Sequence, residues 1–244
     1  MNVAICCLYG KSIPQEESVQ TEKDLEHQIV QALGAEYLSR WVVEVTYKLK
    51  KRTKKGSTNE MKHGVNLAAP FVGMKKEESI EYPFAKQFCI RRNDRGTRVM
   101  VVQEMAEEPS YAALPEGKLT HVLEGEDPLE AMGAAARAGL VTRIKASIEA
   151  SGHAYRLGDF VVRVGKCKKG AVFRGLALEV EYRPCNRVAD GLSMIEAFIP
   201  SIDQDGTFTA VSDLQDLAMF GRGPQFSVKH NALQITDLFN KVFA

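Results

Sequence analysis

The stretch YRLGDFVVRVGKCKKGAVFRGLALEVEYRPC, Tyr155 to Cys185, does most to limit what this chain can become. Its two halves alternate with a period of two around the turn GKCKKG, a pattern of paired strands and not of a helix. In the second half Leu176, Leu178, Val180 and Tyr182 share one face, while Ala177, Glu179 and Glu181 share the other. In the first half Phe160, Val162 and Val164 lie opposite Asp159, Val161 and Arg163. Burying both apolar rows together fixes the register of the hairpin, because a slip of one residue would turn one row outward. Glu179 and Glu181 then share a face with Asp159 and Arg163.

Two glutamates two apart on a strand point the same way, and a metal-dependent phosphohydrolase uses that arrangement to hold a divalent cation. Tunnel-shaped RNA triphosphatases resemble this layout, but their cage needs a second Glu-x-Glu strand and several inward basic residues. The best second strand here offers Val42, Glu44 and Thr46 on one face, a single carboxylate, and EESIEY has no pair of glutamates at that spacing. The cage is incomplete. The simpler reading makes Glu179 and Glu181 a solvated or partner-facing charge row beside Arg163, with a divalent-metal-dependent phosphohydrolase on a similar barrel as the alternative.

Around the hairpin the pattern supplies further strands and helices. Asn2 to Tyr9 reads as a buried strand, and SVQTEKDLEHQIVQALGA as a helix that turns Leu25, Ile29 and Leu33 inward and stops at Gly34. RWVVEVTYKL alternates, with Trp41, Val43, Val45 and Tyr47 on one face. PFAKQFCIRR and TRVMVVQEM, joined by NDRG, are expected to pair as a hairpin. EDPLEAMGAAARAGLVTRIKASIEASG carries helix signals, with Asp127 as N-cap, Pro128 at the first position and Gly152 just past the end. DGLSMIEAFIPSI reads as a helix ending near Pro200, and ALQITDLFNKVF as a terminal helix.

Hairpins instead of strand-helix-strand alternation argue for an α+β fold, a curled antiparallel β-sheet or β-barrel with flanking helices. Residues 1–244 form a single domain on this reading, with loop insertions at 50–64 and 106–126. A net charge of +1 gives the whole chain no drive toward nucleic acid or an anionic membrane. The apolar start, MNVAICCLYGK, has no basic residue ahead of it and is too short to span a bilayer, so neither a signal peptide nor a membrane anchor is expected. Five cysteines with no C-x-x-C pair indicate neither a disulfide framework nor a structural zinc site, and fit a reducing compartment. His63, His121 and His230 are expected in loops without a second ligand at metal spacing.

The residues also carry a family resemblance. Y-x-x-x-D-F-V-V-R-V-G, the small-residue turn, R-G-L-A-L-E-V-E-Y-x-P-C and the terminal D-L-F-N-K closely resemble subunit 20 of the Mediator complex. The match is specific over Gly152 to Cys185 and weaker over Met1 to Gly34 and the EYPF region. The resemblance implies a barrel related to that of Mediator subunit 18, and a non-catalytic coactivator role in the head module, in the nucleus, in RNA polymerase II transcription. It also implies pairing with subunit 18 and attachment through a carboxy-terminal segment of subunit 8, with no cofactor, no direct nucleic acid and no membrane.

Two sets of site residues follow. Arg163, Glu179, Glu181, Leu238 and Phe239 are the expected partner contacts, the last two because a terminal helix this apolar should pack on the barrel and extend the partner surface with one edge. Lys50, Lys51, Arg52, Lys54 and Lys55, in KLKKRTKK, read as a solvated loop, a nuclear import signal or a nucleic-acid contact, although the octamer lacks interleaved aromatics for stacking on bases.

Overall fold

The computed structural model describes residues 5–52, 84–94, 98–105, 119–125, 140–211 and 225–243. The hairpin expected at its centre is there. Strand β7 (Phe160–Lys169) pairs with β8 (Val172–Tyr182), with Phe160 opposite Tyr182, Val162 opposite Val180 and Val164 opposite Leu178. Strand β1 (Ile5–Lys11) adds to the free side of β8, and the two-residue β9 (Thr209–Ala210) adds to β1.

On the other side of β7 the sheet continues through β6 (Leu140–Leu157), β2 (Glu36–Arg52), β3 (Phe84–Arg92), β4 (Arg98–Met105) and β5 (Leu119–Gly125). The order is β5-β4-β3-β2-β6-β7-β8-β1-β9 in one nine-stranded sheet, every pairing antiparallel. The hairpin expected from PFAKQFCIRR and TRVMVVQEM is the β3–β4 pair.

The sheet curls, and glycine permits it. Gly152 of β6 and Gly165 of β7 are direct partners, and a Cβ built on Gly152 would meet the Val164 carbonyl oxygen at 1.9 Å. A Cβ on Gly165 would lie 3.1 Å from the Trp41 ring. Trp41, 1% exposed, lies across the side-chain-free patch made by the two glycines, so the strands bend tightly around it.

Helix α3 (Val228–Phe243) occupies the hollow of the curl and packs against β1, β4, β5 and β8, strands from both ends of the sheet. Residues 230–236 are buried in succession, so this helix is enclosed on all sides. Its start is held by Ser227, whose backbone N–H donates to Nδ1 of His230 at 3.0 Å. The convex face of β1, β7 and β8 is covered by α1 (Gln15–His27, continued by a π turn over Gln28–Ala32) and α2 (Val188–Ile202). Leu25, Ile29 and Ile195 are buried there, and Phe160 stacks on Phe198 at 4.1 Å. Glu26 tethers α1 to the sheet, accepting from the Tyr155 hydroxyl at 2.9 Å and lying 2.7 Å from His153 Nδ1. Gly34, with φ +70°, ends the turn after α1 as expected. No helix among the described residues is long and apolar enough to cross a membrane.

Four expectations give way. The long helix from Asp127 to Gly152 is overturned where it is described, since Leu140–Leu157 is β6, paired with β2 and β7. Val141, Thr142, Ile144 and Ile148 favour a strand, and β2 pairs with it along nearly its whole length and β7 from Ile148 to Leu157, which outweighs the helix-capping signals. Residues 127–139 lie outside the described residues. The insertion at 106–126 contains β5, and the insertion at 50–64 begins inside β2, so Lys50, Lys51 and Arg52 are strand residues; Lys54 and Lys55 lie outside the described residues. Helix α2 ends two residues after Pro200, near the expected stop, and the missing N–H of Pro200 costs it one bond there. His230 is helical and His121 sits in β5, while His63 lies outside the described residues.

Candidate functional site

Glu179 is the starting point because it is charged and 0% exposed. Alternation along β8 sends Leu178 and Val180 to the convex core and Glu179 into the hollow, where α3 and the far strands converge on it. Arg92, at the end of β3, meets it with two hydrogen bonds, Nη1 to Oε2 at 2.6 Å and Nη2 to Oε1 at 2.8 Å. Arg163, its direct neighbour on β7, donates from Nη1 to Oε1 at 2.9 Å. Asn231 of α3 donates from Nδ2 to Oε2 at 3.2 Å and accepts from Arg92 Nη1 at 2.7 Å.

Two further carboxylates complete the cluster. Asp94, in the turn after β3, takes a bidentate pair from Arg92, Nε to Oδ1 at 2.9 Å and Nη2 to Oδ2 at 2.8 Å, and lies 3.1 Å from Arg163 Nε. Glu181 takes Arg163 Nη1 at 2.8 Å. Exposure rises outward: side chains of Glu179 and Arg92 are 0% and 5% exposed, those of Glu181 and Asp94 14% and 15%. Neighbouring Asn93 anchors the turn by extending the β2 ladder, its Oδ1 accepting from Val42 N at 2.8 Å and its Nδ2 donating to the Arg40 carbonyl at 2.7 Å.

The electrostatics follow from this geometry. Burial works against the charge of both guanidiniums, but the field of Glu179 leads the influences that raise their pKa above the ordinary value. Burial would likewise raise the Asp94 carboxyl, and the hydrogen bonds from Arg92 outweigh it, so Asp94 is held below its usual value. Removing one member leaves its buried partners unpaired, whereas the intact cluster contributes little net stability over an apolar packing of the same shape. What it does supply is a link between β3, β7, β8 and α3, elements far apart in the chain.

Both Glu179 oxygens are engaged by guanidinium and amide donors, which spend the lone pairs a cation would need. Glu44 cannot supply the missing carboxylate, because Trp41 and Val43 share the hollow-facing side of β2 and Glu44 lies on the other, exposed beside Arg91. Among the described residues no group of three or more His, Cys, Asp or Glu is placed to hold a metal ion.

The structure therefore brings together Arg163, Glu179 and Glu181, as the alternation of β7 and β8 requires, but inside the fold. The solvated or partner-facing charge row is corrected for Glu179, which is interior; Asp159 stands apart, exposed in the β6–β7 turn. Leu238 and Phe239, 2% and 3% exposed, fill the hollow of the sheet instead of offering an edge to a partner. Both side chains are buried in the apolar part of the hollow, which leaves neither as an exposed edge. Sequence reading missed Arg92, Asp94 and Asn231. A signal for Arg92 was present: it continues the inward row of Phe88 and Ile90, where an arginine needs a buried counter-charge. Asn231 had only its place among the core-facing positions of α3.

Comparison with known proteins adds a separate line of evidence. Residues 1–234 match the family model described as TATA-binding related factor (TRF) of subunit 20 of Mediator complex. Subunit 20 of the Mediator of RNA polymerase II transcription from Rattus norvegicus is 34% identical over 108 residues, 43% of this chain and 48% of that protein. The Homo sapiens protein of the same name is 34% identical over 107 residues, with the same coverage. The chain spans about half the length of the curated relatives it matches. Among solved structures, the PH1819 protein of Pyrococcus horikoshii covers 89% of this chain and 100% of its own at 9% identity and a TM-score of 0.41. The PH1012 protein of the same organism covers 81% and 90% at 13% identity and a TM-score of 0.39.

Proposed function

Since this chain belongs to the family of subunit 20 of the Mediator complex, we propose that it works as a non-catalytic subunit of the Mediator head module, a coactivator of RNA polymerase II transcription in the nucleus. The observation that carries the reading is the family match over residues 1–234. The geometry supports it, because the carboxylate best placed for metal chemistry, Glu179, is taken up by arginines that tie the fold together. The partners on this reading are subunit 18, through a barrel of similar design, and a carboxy-terminal segment of subunit 8, with the polymerase machinery reached through the head module. Of the residues expected at the partner surface, Glu181 stays at the rim of the cluster, and it is the one we assign a direct contact. Entry to the nucleus is assigned to the assembly. An import receptor reads an extended free peptide, and Lys50, Lys51 and Arg52 are hydrogen-bonded within a strand.

The test is co-purification of the tagged full chain from nuclear extract, with partners identified by mass, together with binding to purified subunit 18. Retention of subunits 18 and 8 is the expected result. Manganese-dependent release of phosphate from a nucleoside triphosphate, abolished by Glu179→Gln with Glu181→Gln, would overturn the reading in favour of a phosphohydrolase.

A further inference from the structure

β2 reaches past the end of β3. Their pairing stops at Val43 opposite Arg92, whereas β2 begins at Glu36. On one side this first part of β2 stays in the sheet, with Glu36 opposite Arg156, Tyr37 opposite Tyr155 and Ser39 opposite Ala154 of β6. On the β3 side Asn93 carries the ladder one step further. Its backbone N–H donates to the Val42 carbonyl at 3.1 Å, and its side-chain amide meets Val42 N and the Arg40 carbonyl as the peptide unit of a neighbouring strand would. Beyond Arg40 no described residue pairs with β2 on that side.

The side chains agree with an open edge. Residues 36–40 are exposed in succession, although they belong to a strand with a paired neighbour. Tyr37 is 57% and Leu38 36% exposed, so two large apolar side chains stand next to each other in water. A β-bulge between Tyr37 and Ser39 marks the place, with Leu38 as its extra residue. Tyr37 is also braced. Its ring meets those of His153 and Tyr155 edge to face, with centroids 5.8 and 6.0 Å away, and Glu26 holds both of these rings. A ring held in this way loses little freedom when a partner packs on it.

Such an edge fits one kind of occupant. Unpaired peptide groups in line with a ladder are satisfied by another extended backbone, and every pairing in this sheet is antiparallel. Charge sets the order of its side chains. Glu36 already faces Arg156 of β6, whereas Arg40 faces His153 and has no ion pair among the described residues. An added antiparallel segment therefore carries an acid near its start, at Arg40, followed by apolar residues beside Leu38 and Tyr37.

We propose that the open edge of β2 at Glu36–Arg40 takes an extended segment of a partner protein as an added antiparallel strand, with apolar side chains against Tyr37 and Leu38 and an acidic one at Arg40. The reading above places a partner contact at Glu181 and none on this edge, so failure of one leaves the other standing. The probe is a fluorescent, end-capped peptide Glu-Val-Thr-Val-Thr, titrated with the full chain by anisotropy. Two analogues accompany it, each N-methylated at alternate residues so that the backbone donors of one strand edge are blocked.

The peptide should bind, and one N-methylated analogue should lose roughly tenfold or more while the other is affected less. Tyr37→Ser and Leu38→Ser should each weaken binding by roughly fivefold or more. Arg40→Glu should weaken it as well, and a peptide with Lys in place of its Glu should restore binding to that variant, which separates a lost contact from a misfolded chain. Met194→Ser, on the exposed side of α2, should leave binding unchanged. No peptide binding, equal binding of both N-methylated analogues and the parent peptide, equal weakening by Met194→Ser, or no response to Arg40→Glu would each overturn the proposal. So would a dimer of the chain in sedimentation that Tyr37→Ser dissociates, since a second copy would then own the edge.

Discussion

Replacing Glu179 by Gln keeps the shape of the side chain and removes its charge. The new amide group would point an N–H at donors already aimed there, Arg92 and Arg163 on one oxygen or Arg92 and Asn231 on the other. Loss of one partner from a buried ion pair costs about 3 to 5 kcal/mol. Asp94 and Glu181 still face the two arginines, so the lower end, about 3 kcal/mol, is expected. In a domain of this size that lowers the thermal midpoint by roughly 6 to 12 °C. The measurement is urea unfolding at neutral pH, with Glu181→Gln as the internal comparison. Glu181 sits at the rim, and its loss should cost about 1 kcal/mol or less. Replacing Arg92, Arg163 and Glu179 together by Met, Met and Leu should recover part of the loss, because the innermost charges then go together and only Asp94 and Glu181, nearer the rim, lose their partners. Equal costs for the two glutamates, or a triple variant no better than Glu179→Gln, would show that Glu179 is not the buried hub of the cluster.

Three other outcomes follow from the same geometry. Phe160→Ala removes a half-buried ring stacked on Phe198 and 5.0 Å from Tyr182, and should cost about 2 kcal/mol, less than a fully buried phenylalanine; an unchanged unfolding midpoint would contradict that packing. Gly152→Ala sets a methyl against the Val164 carbonyl and should cost roughly 3 kcal/mol or more, whereas Gly158→Ala, where no atom lies within 4 Å of the added carbon, should cost only the strain of its φ of +57°; equal destabilisation would refute the close crossing of β6 and β7. Asp94 titrates below the usual carboxylate range, so its contribution is complete above about pH 4 and is lost as pH falls through its lowered value. Stability of the parent should therefore decline on that acid limb, and Asp94→Asn should be less stable at neutral pH and flatter below pH 4, which parallel acid limbs would disprove.

Local pattern sufficed for the β7–β8 hairpin, because the period-two alternation of two apolar rows allows one register only. It sufficed also for α1, α2 and the terminal helix, and for the closeness of Arg163, Glu179 and Glu181, all of which depend on residues near in sequence. Local pattern misled where long-range pairing outweighed it. Asp127, Pro128 and Gly152 resemble the punctuation of a helix, yet residues 140–157 become a strand because β2 and β7 both require a partner between them. Gly152, read as a helix stop, is instead the place where β6 crosses close against the backbone of β7 at Val164 and Gly165. The same holds for the site. Alternation shows which side of β8 Glu179 faces but cannot tell whether that side meets water. Only the curl of the sheet, which brings Arg92 across the hollow and α3 into it, turns a surface charge row into a buried cluster. The order of the strands likewise exists only after folding, since β2, β3, β6 and β7 become neighbours through hydrogen bonds between residues as far apart as Glu36 and Arg156, a closure that no local sequence preference encodes.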